Sequence, residues 1–245
     1  MKCLFLAAGY ATRLYPLTEN FPKPLLEVQG KSILDWLIDD LKRGGDIDQF
    51  IAVSNHKFAH HFHDWSEKLH GGAITVIDDG TTSNENRIGA VRDIALAIET
   101  CKLDEELLVV AGDNLLDFSL QTFLDYTRRK KTSCVMRYWE ADTARLRKSG
   151  VATIDDNDRI ISMTEKPAEP ASNWCCPPFY YFVKEDVAKV KEGLAAGCGY
   201  DAPGSYIAWL STVSTVHAME MPGRRYDIGN LESYEFAQRS YHAPY

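Results

Sequence analysis

The chain has 245 residues, 45% hydrophobic and 25% charged, with a net charge of −8 and a pI of about 5.4. That length buries a sizeable core, as one large domain or one domain with an appendage, and the acidic balance argues against sequence-independent nucleic-acid binding, which needs a basic face. No apolar run approaches the roughly 18 residues of a membrane span, so neither a nucleic acid nor a membrane is an expected partner.

Residues 3–6 are an apolar run of strand length. The run is too short for a signal peptide, and Arg13 and Lys23 follow soon after it, so the chain reads as cytoplasmic. Small residues come next at Ala7, Ala8 and Gly9. Glycine tolerates unusual backbone angles and close ligand approach, and successive backbone N–H groups after a strand make an anion nest. Arg13 offers a planar fork and Lys23 a point charge, and both suit phosphate. Together these features describe a triphosphate cradle; a plain strand, turn and helix with solvated cations is the bland alternative.

Apolar residues at 33, 34, 37, 38 and 41 have the period of an amphipathic helix, stopped after Arg43 by Gly44 and Gly45. Residues 49–54 read as a strand. His56, His60, His61 and His63, among Phe58, Phe62 and Trp65, read as a surface helix rather than a metal site, since no Cys or carboxylate completes a ligand set. Residues 73–77 form a strand, 78–87 a polar loop, and 89–98 a helix. Residues 107–111 are apolar throughout, as in the centre of a parallel sheet, and run into Gly112-Asp113-Asn114. A helix over 118–127 ends in the basic run 128–131, and 132–138 is a strand.

The alternation of strand and helix predicts an α/β, Rossmann-like doubly wound mixed sheet. Residues 149–154 and 159–163 around the turn 155–158 read as an inserted β-hairpin. Residues 168–178 form a loop, 179–183 a strand, 184–195 a helix, 207–210 the start of a helix, and 213–219 a strand. Residues 225–229 make a tight polar element before a last helix at 231–241. No internal repeat or long linker appears, so one domain is expected, with halves at 1–138 and 139–245. The six cysteines form no C-x-x-C pair and read as reduced thiols.

The opening LFLAAGYATRLYPLTENFPKPLLEVQGKSIL resembles the signature of the sugar-1-phosphate nucleotidyltransferases, A-A-G-x-G-T-R-L-x-P-L-T followed by P-K-P-L-L-x-V-x-G-K-P. Ala11 stands where the second Gly is usual, and Ser32 where Pro is common. V-V-A-G-D-N resembles the family's G-D-N, and Y-D-I-G-N-L-E-S-Y its W-x-D-I-G-T-x-E-S-Y. Residues 165–182, EKPAEPASNWCCPPFYYF, are similar to the stretch E-K-P-x-x-P-x-S-N-x-x-x-x-G-x-Y-x-F of glucose-1-phosphate thymidylyltransferases, with Pro178 in place of the usual Gly.

This resemblance implies transfer of a nucleotidyl group from a nucleoside triphosphate (dTTP, UTP or CTP) to a sugar 1-phosphate, releasing pyrophosphate, with Mg²⁺ as cofactor on Asp113 and Asp227. It implies a nucleotide cradle of Leu6, Ala7, Ala8, Gly9, Tyr10, Ala11, Thr12, Arg13 and Lys23, joined by Asn84, Gly89 and Asp113. It implies sugar-phosphate contacts from Asn114, Gly150, Glu165, Lys166 and Tyr180, and so a nucleotide-binding half at 1–138 and a sugar-phosphate-binding half at 139–245. Arg13, Lys23, Asp113, Lys166 and Asp227 are the expected catalytic residues. A non-sugar phosphate or phosphonate acceptor such as phosphocholine, and a catalytically silent nucleotide-sugar-binding regulatory module, stay open. A homo-oligomer is also left open. A dinucleotide oxidoreductase fits poorly, because no full G-x-G-x-x-G and no acidic residue after 49–54 are present.

Overall fold

The computed structural model describes residues 1–244 and divides into two compact units of interleaved segments. Among the described residues the first comprises 1–87, 111–122 and 222–244; the second comprises 88–110 and 123–221. The sequence-order halves meet at 138/139, inside the strand Ser133–Trp139.

In the first unit Lys2–Leu6 pairs in parallel with Gln49–Ser54, and Gln49–Ser54 pairs in parallel with Ile74–Asp78. Such pairing needs crossover helices, here Ile33–Gly44 and Ala59–His70. The first of these shows how local sequence sets an element. Ser32 caps it by accepting from the Asp35 amide, Ile33, Leu34, Leu37, Ile38 and Leu41 are its buried stripe, and Gly45 ends it at φ +71°. Two short antiparallel ribbons complete the unit: Glu27–Val28 with Lys31–Ser32, and Asn114–Leu116 with Arg225–Asp227. The closing helix Leu231–Ser240 is held by a reciprocal cap between Asn230 and Ser233.

In the second unit the strand Ser133–Trp139 has antiparallel partners in Phe179–Phe182 and Trp174–Cys175 and a parallel partner in Val216–Glu220. Phe179–Phe182 also pairs with Leu107–Ala111. The expected hairpin is present as Gly150–Ile154 and Ile160–Glu165. Helices Ala90–Cys101, Lys184–Ala188, Val190–Ala195 and Gly204–Val213 complete it. The fold is thus α/β with a mixed sheet, as expected, and all six cysteines are free.

Several local expectations need correction. Residues 168–178 are not all loop, because Trp174–Cys175 pairs on both sides. The helix expected at 184–195 is split at Lys189, whose amide turns back to the Asp186 and Val187 carbonyls in a tighter turn. The polar element 225–229 begins as a strand. Strands of two or three residues have too few positions to show a period, which is why sequence patterning passes over them. Among the described residues no helix is long and apolar enough to cross a membrane, and no group of three metal-ligating side chains occurs, the histidines included.

Asp186 is the polar hub of the second unit. Its buried carboxylate accepts from Ser133 Oγ at 2.6 Å, Ser214 Oγ at 2.7 Å and Lys189 Nζ at 2.8 Å. Asp186→Ala leaves two hydroxyls and an ammonium without their acceptor, and is expected to destabilise the protein by about 3 kcal/mol. Urea unfolding measures this; a loss below about 1 kcal/mol would remove Asp186 from that role.

Candidate active site

The loop after the first strand is fixed by backbone bonds on both sides. The Ala7 amide donates to the Val53 carbonyl at 2.9 Å, and the Gly112 amide to the Leu6 carbonyl at 3.0 Å. Asn55 Nδ2 holds the Ala8 carbonyl at 3.0 Å. Tyr10 turns inward, its hydroxyl donating to the Thr81 carbonyl at 2.9 Å, so it shapes the loop from behind. Gly9 is exposed, and a Cβ added there would meet nothing within 4 Å. Its use is open access, not an unusual backbone angle.

The left-handed position of the loop is Ala11, at φ +48° and ψ +39°. This is where the resembled signature has Gly, and in this chain the conformation costs an L-residue roughly 1–2 kcal/mol. Thr18 Oγ1 and the Leu14 amide both donate to the Ala11 carbonyl, at 2.8 and 2.9 Å, and the methyl packs on the core of Leu14, Ile33 and Ile228. The departure from Gly is therefore absorbed locally, and Thr12 and the exposed Arg13 follow in a short 3-10 turn.

Lys23 and Asp113 form the centre of the first unit's site. Lys23 Nζ donates to Asp113 Oδ2 at 2.6 Å and to the Ile228 carbonyl at 3.1 Å, with only 13% of its side chain exposed. Of its three ammonium protons, one remains for a ligand. Burial would raise the Asp113 carboxyl, but Lys23, with a further contribution from Arg225, holds it below its ordinary range. Asp113 is thus kept as a carboxylate.

The ribbon brings Asp227 to this pair. Asp227 lies opposite Asn114 in the register, and the Ile228 amide donates to the Asp113 carbonyl at 3.0 Å. Asp227 is exposed, and a Cβ on Gly229 would stand 3.8 Å from Arg13 Nη2 and 3.9 Å from Asp227 Oδ1. Arg13, Lys23, Asp113 and Asp227, far apart in sequence, are therefore gathered in one unit. The two carboxylates carried by this ribbon and the residue before it suit Mg²⁺, a hard ion that takes one or two protein carboxylates and completes its shell with water and substrate oxygens.

Other expected residues sit less simply. Asn114 is 1% exposed, its Nδ2 donating to Asp113 Oδ1 at 2.5 Å and its Oδ1 accepting from Arg225; it supports the carboxylate rather than facing an acceptor. Asn84 is exposed in its loop and accepts from Arg87 at 3.2 Å, while Asn86 organises the turn by accepting from the Thr82 and Ser83 amides. Arg225 was missed by sequence reasoning; the signal available was a cation two residues before Asp227, on the same strand face.

The second unit holds the remaining residues. Gly89, at φ +94°, opens the helix Ala90–Cys101, and a Cβ there would collide with the Tyr200 backbone; the Ala90 and Val91 amides donate to the Asp201 and Tyr200 carbonyls. A Cβ on Gly150 would fall 2.5 Å from Met163 Cε and 2.9 Å from Glu165 Oε2, and one on Gly204 would collide with the same carboxylate. Two glycines thus make room for Glu165. Burial raises its carboxyl above the ordinary value, Lys166 pulls it down and Asp201 pushes it up. Lys166 sits at φ +49°, half-exposed, with Nζ 3.9 Å from Asp201 Oδ2. Tyr180 is buried beside Phe182 in the strand core, so its expected contact with an acceptor is not made from an exposed position.

Ala11→Gly is expected to keep stability within about 1 kcal/mol of wild type, while Ala11→Val costs about 2 kcal/mol or more, because a β-branched residue resists the left-handed region. Thermal melting checks both, and a stable Ala11→Val protein would contradict the strain at this position.

A family model described as nucleotidyl transferase matches residues 2–243. The chain is 27% identical over 240 residues to the UTP–glucose-1-phosphate uridylyltransferase AglF of Haloferax volcanii, covering 98% of this chain and 96% of that protein. It is 26% identical to the UTP–glucose-1-phosphate uridylyltransferase of Synechocystis sp., covering 96% of this chain and 61% of that longer protein. A solved apo UDP-glucose pyrophosphorylase superposes with a TM-score of 0.80 at 20% identity, covering 97% of this chain and 96% of that one. The chain belongs to the nucleotidyl transferase family, as its resemblance to the sugar-1-phosphate nucleotidyltransferases led one to expect.

Proposed function

We propose that the protein transfers a nucleotidyl group from a pyrimidine nucleoside triphosphate (dTTP, UTP or CTP) to a sugar 1-phosphate, using Mg²⁺. The observation that carries this reading is the meeting of Lys23, Asp113, Asp227 and Arg13 through the short ribbon of the first unit. Two relatives named UTP–glucose-1-phosphate uridylyltransferases support a pyrimidine base and a glucose-type acceptor, whereas two others are named a mannose-1-phosphate guanyltransferase and a glucose-1-phosphate adenylyltransferase.

In this reading a phosphate oxygen of the acceptor attacks the α-phosphorus. The new O–P bond forms as the bond to the bridging oxygen of the β-phosphate breaks, and that electron pair leaves on pyrophosphate. Catalysis is chiefly positioning and charge neutralisation. Asp113 and Asp227 would hold Mg²⁺, which when bound supplies positive charge to the reacting phosphate oxygens. Arg13, and the one ammonium proton Lys23 has left, bind the triphosphate and the departing pyrophosphate. Lys166 orients the acceptor phosphate, and the Glu165 carboxylate accepts from an acceptor hydroxyl. Localisation in the cytoplasm belongs to the same proposal, since both substrates are soluble phosphorylated metabolites.

A second reading has one observation in its favour. Asp201 adds a carboxylate beside Lys166 and Glu165, a balance that suits an acceptor bearing a cationic nitrogen, such as phosphocholine.

Pyrophosphate release with Mg²⁺, each of dTTP, UTP, CTP, ATP and GTP, and a panel of hexose 1-phosphates plus phosphocholine tests both readings. Release is expected with a pyrimidine nucleotide and a hexose 1-phosphate; release with phosphocholine alone selects the second reading, and a purine requirement overturns the base assignment. Asp113→Asn and Lys23→Ala are each expected to lower kcat/KM by about 10²–10³-fold while the protein stays folded by circular dichroism. Turnover near wild type in either variant would remove that residue from the mechanism.

A further inference from the structure

Arg225 has no part in the reading above, yet it touches the framework of both carboxylates. It lies two residues before Asp227 on the strand Arg225–Asp227, so the two side chains share one face. Its Nη1 donates to Asn114 Oδ1, and the same nitrogen is 3.3 Å from Asp227 Oδ2. Asn114 passes the contact on, its Nδ2 donating to Asp113 Oδ1 at 2.5 Å. Lys23 Nζ covers the other oxygen of Asp113 at 2.6 Å. Only 17% of the Arg225 side chain is exposed. The pattern W-x-D-I-G-T has Trp at this position, so this cation is a property of the chain itself.

The charges balance before any ligand arrives: two carboxylates, Asp113 and Asp227, face two tethered cations, Lys23 and Arg225. The guanidinium cannot lose its proton to make way. A bare divalent ion must therefore enter against two fixed positive charges. A metal–triphosphate complex is net anionic, so its phosphate oxygens give Lys23, Arg225 and Arg13 new partners as the carboxylates turn to the metal. We infer, on the basis of the metal assignment proposed above, that Arg225 is a positioning residue and internal counter-cation. It keeps the Asp113–Asp227 pair from taking a bare divalent ion and makes it take the metal together with the triphosphate.

The test is Mn²⁺ binding followed by electron paramagnetic resonance on metal-free protein, without acceptor so that nothing turns over. Wild type is expected to bind Mn²⁺ alone weakly, and strongly when dTTP, UTP or CTP accompanies it. Arg225→Gln keeps a donor for Asn114 but loses the charge; it is expected to bind Mn²⁺ alone about tenfold more tightly and the Mn²⁺–triphosphate complex less tightly. Arg225→Lys keeps the charge and stays with wild type on Mn²⁺ alone. Arg225→Met, with neither charge nor donor, must shift in the direction of Arg225→Gln, and circular dichroism establishes which variants are folded. Unchanged or weaker Mn²⁺ binding in the uncharged variants overturns the inference. Asp227→Asn separates the two levels. If it abolishes Mn²⁺–triphosphate binding that wild type shows, the metal assignment stands even where the Arg225 inference falls. If wild type takes no Mn²⁺ with any triphosphate, both fall.

Discussion

Three residues paired with three hold the candidate site together. The ribbon of Asn114–Leu116 against Arg225–Asp227 joins segments more than a hundred residues apart. Without it Asp227 has no reason to lie near Asp113. It supplies Leu115 and Tyr226, with Ile228 just beyond its end, to a core that also takes Leu14, Val28, Ile33 and Tyr241. The opening loop, the first crossover helix and the closing helix therefore share one apolar cluster with the ribbon. Burial of such side chains stabilises by roughly 1.5–3 kcal/mol each, far more than the ion pairs it positions. Packing sets the site, and charge then refines it.

The charge arrangement follows from that placement. Lys23 is held by a carboxylate and a backbone carbonyl, so its ammonium is aimed rather than free. Asp113 meets a lysine on one oxygen and an asparagine amide on the other. A carboxylate supplied with donors in this way stays ionised although it is partly buried. The second unit works differently. There two glycines leave space around Glu165, and a lysine is held in the left-handed region. Backbone strain of this kind persists only where surrounding structure enforces it, and here the Lys166 amide donates to the Ser149 carbonyl at 3.0 Å.

Much of the fold was legible in the sequence because long elements carry a period. The strands at 49–54 and 107–111 matched their expected limits, and the buried stripe of the helix Ile33–Gly44 could be read residue by residue. Elements without a period were not legible. The ribbon strands, the pair Trp174–Cys175 and the break at Lys189 depend on partners distant in sequence or on a single tightened turn.

For the site, the sequence by itself determined which chemical groups are present. The small-residue loop with Arg13, the cation Lys23, the acidic residues 113 and 227, and the pair 165–166 could all be named from residue type and motif. Only the tertiary structure decided what each group does to its neighbours. It put the left-handed angle on Ala11 rather than Gly9, turned Tyr10 and Tyr180 inward, made Asn114 a support for Asp113, and set Arg225 against Asn114 and Asp227. The physical reason is that residue chemistry is local, whereas ionisation, orientation and access depend on which atoms from remote segments come within hydrogen-bonding distance.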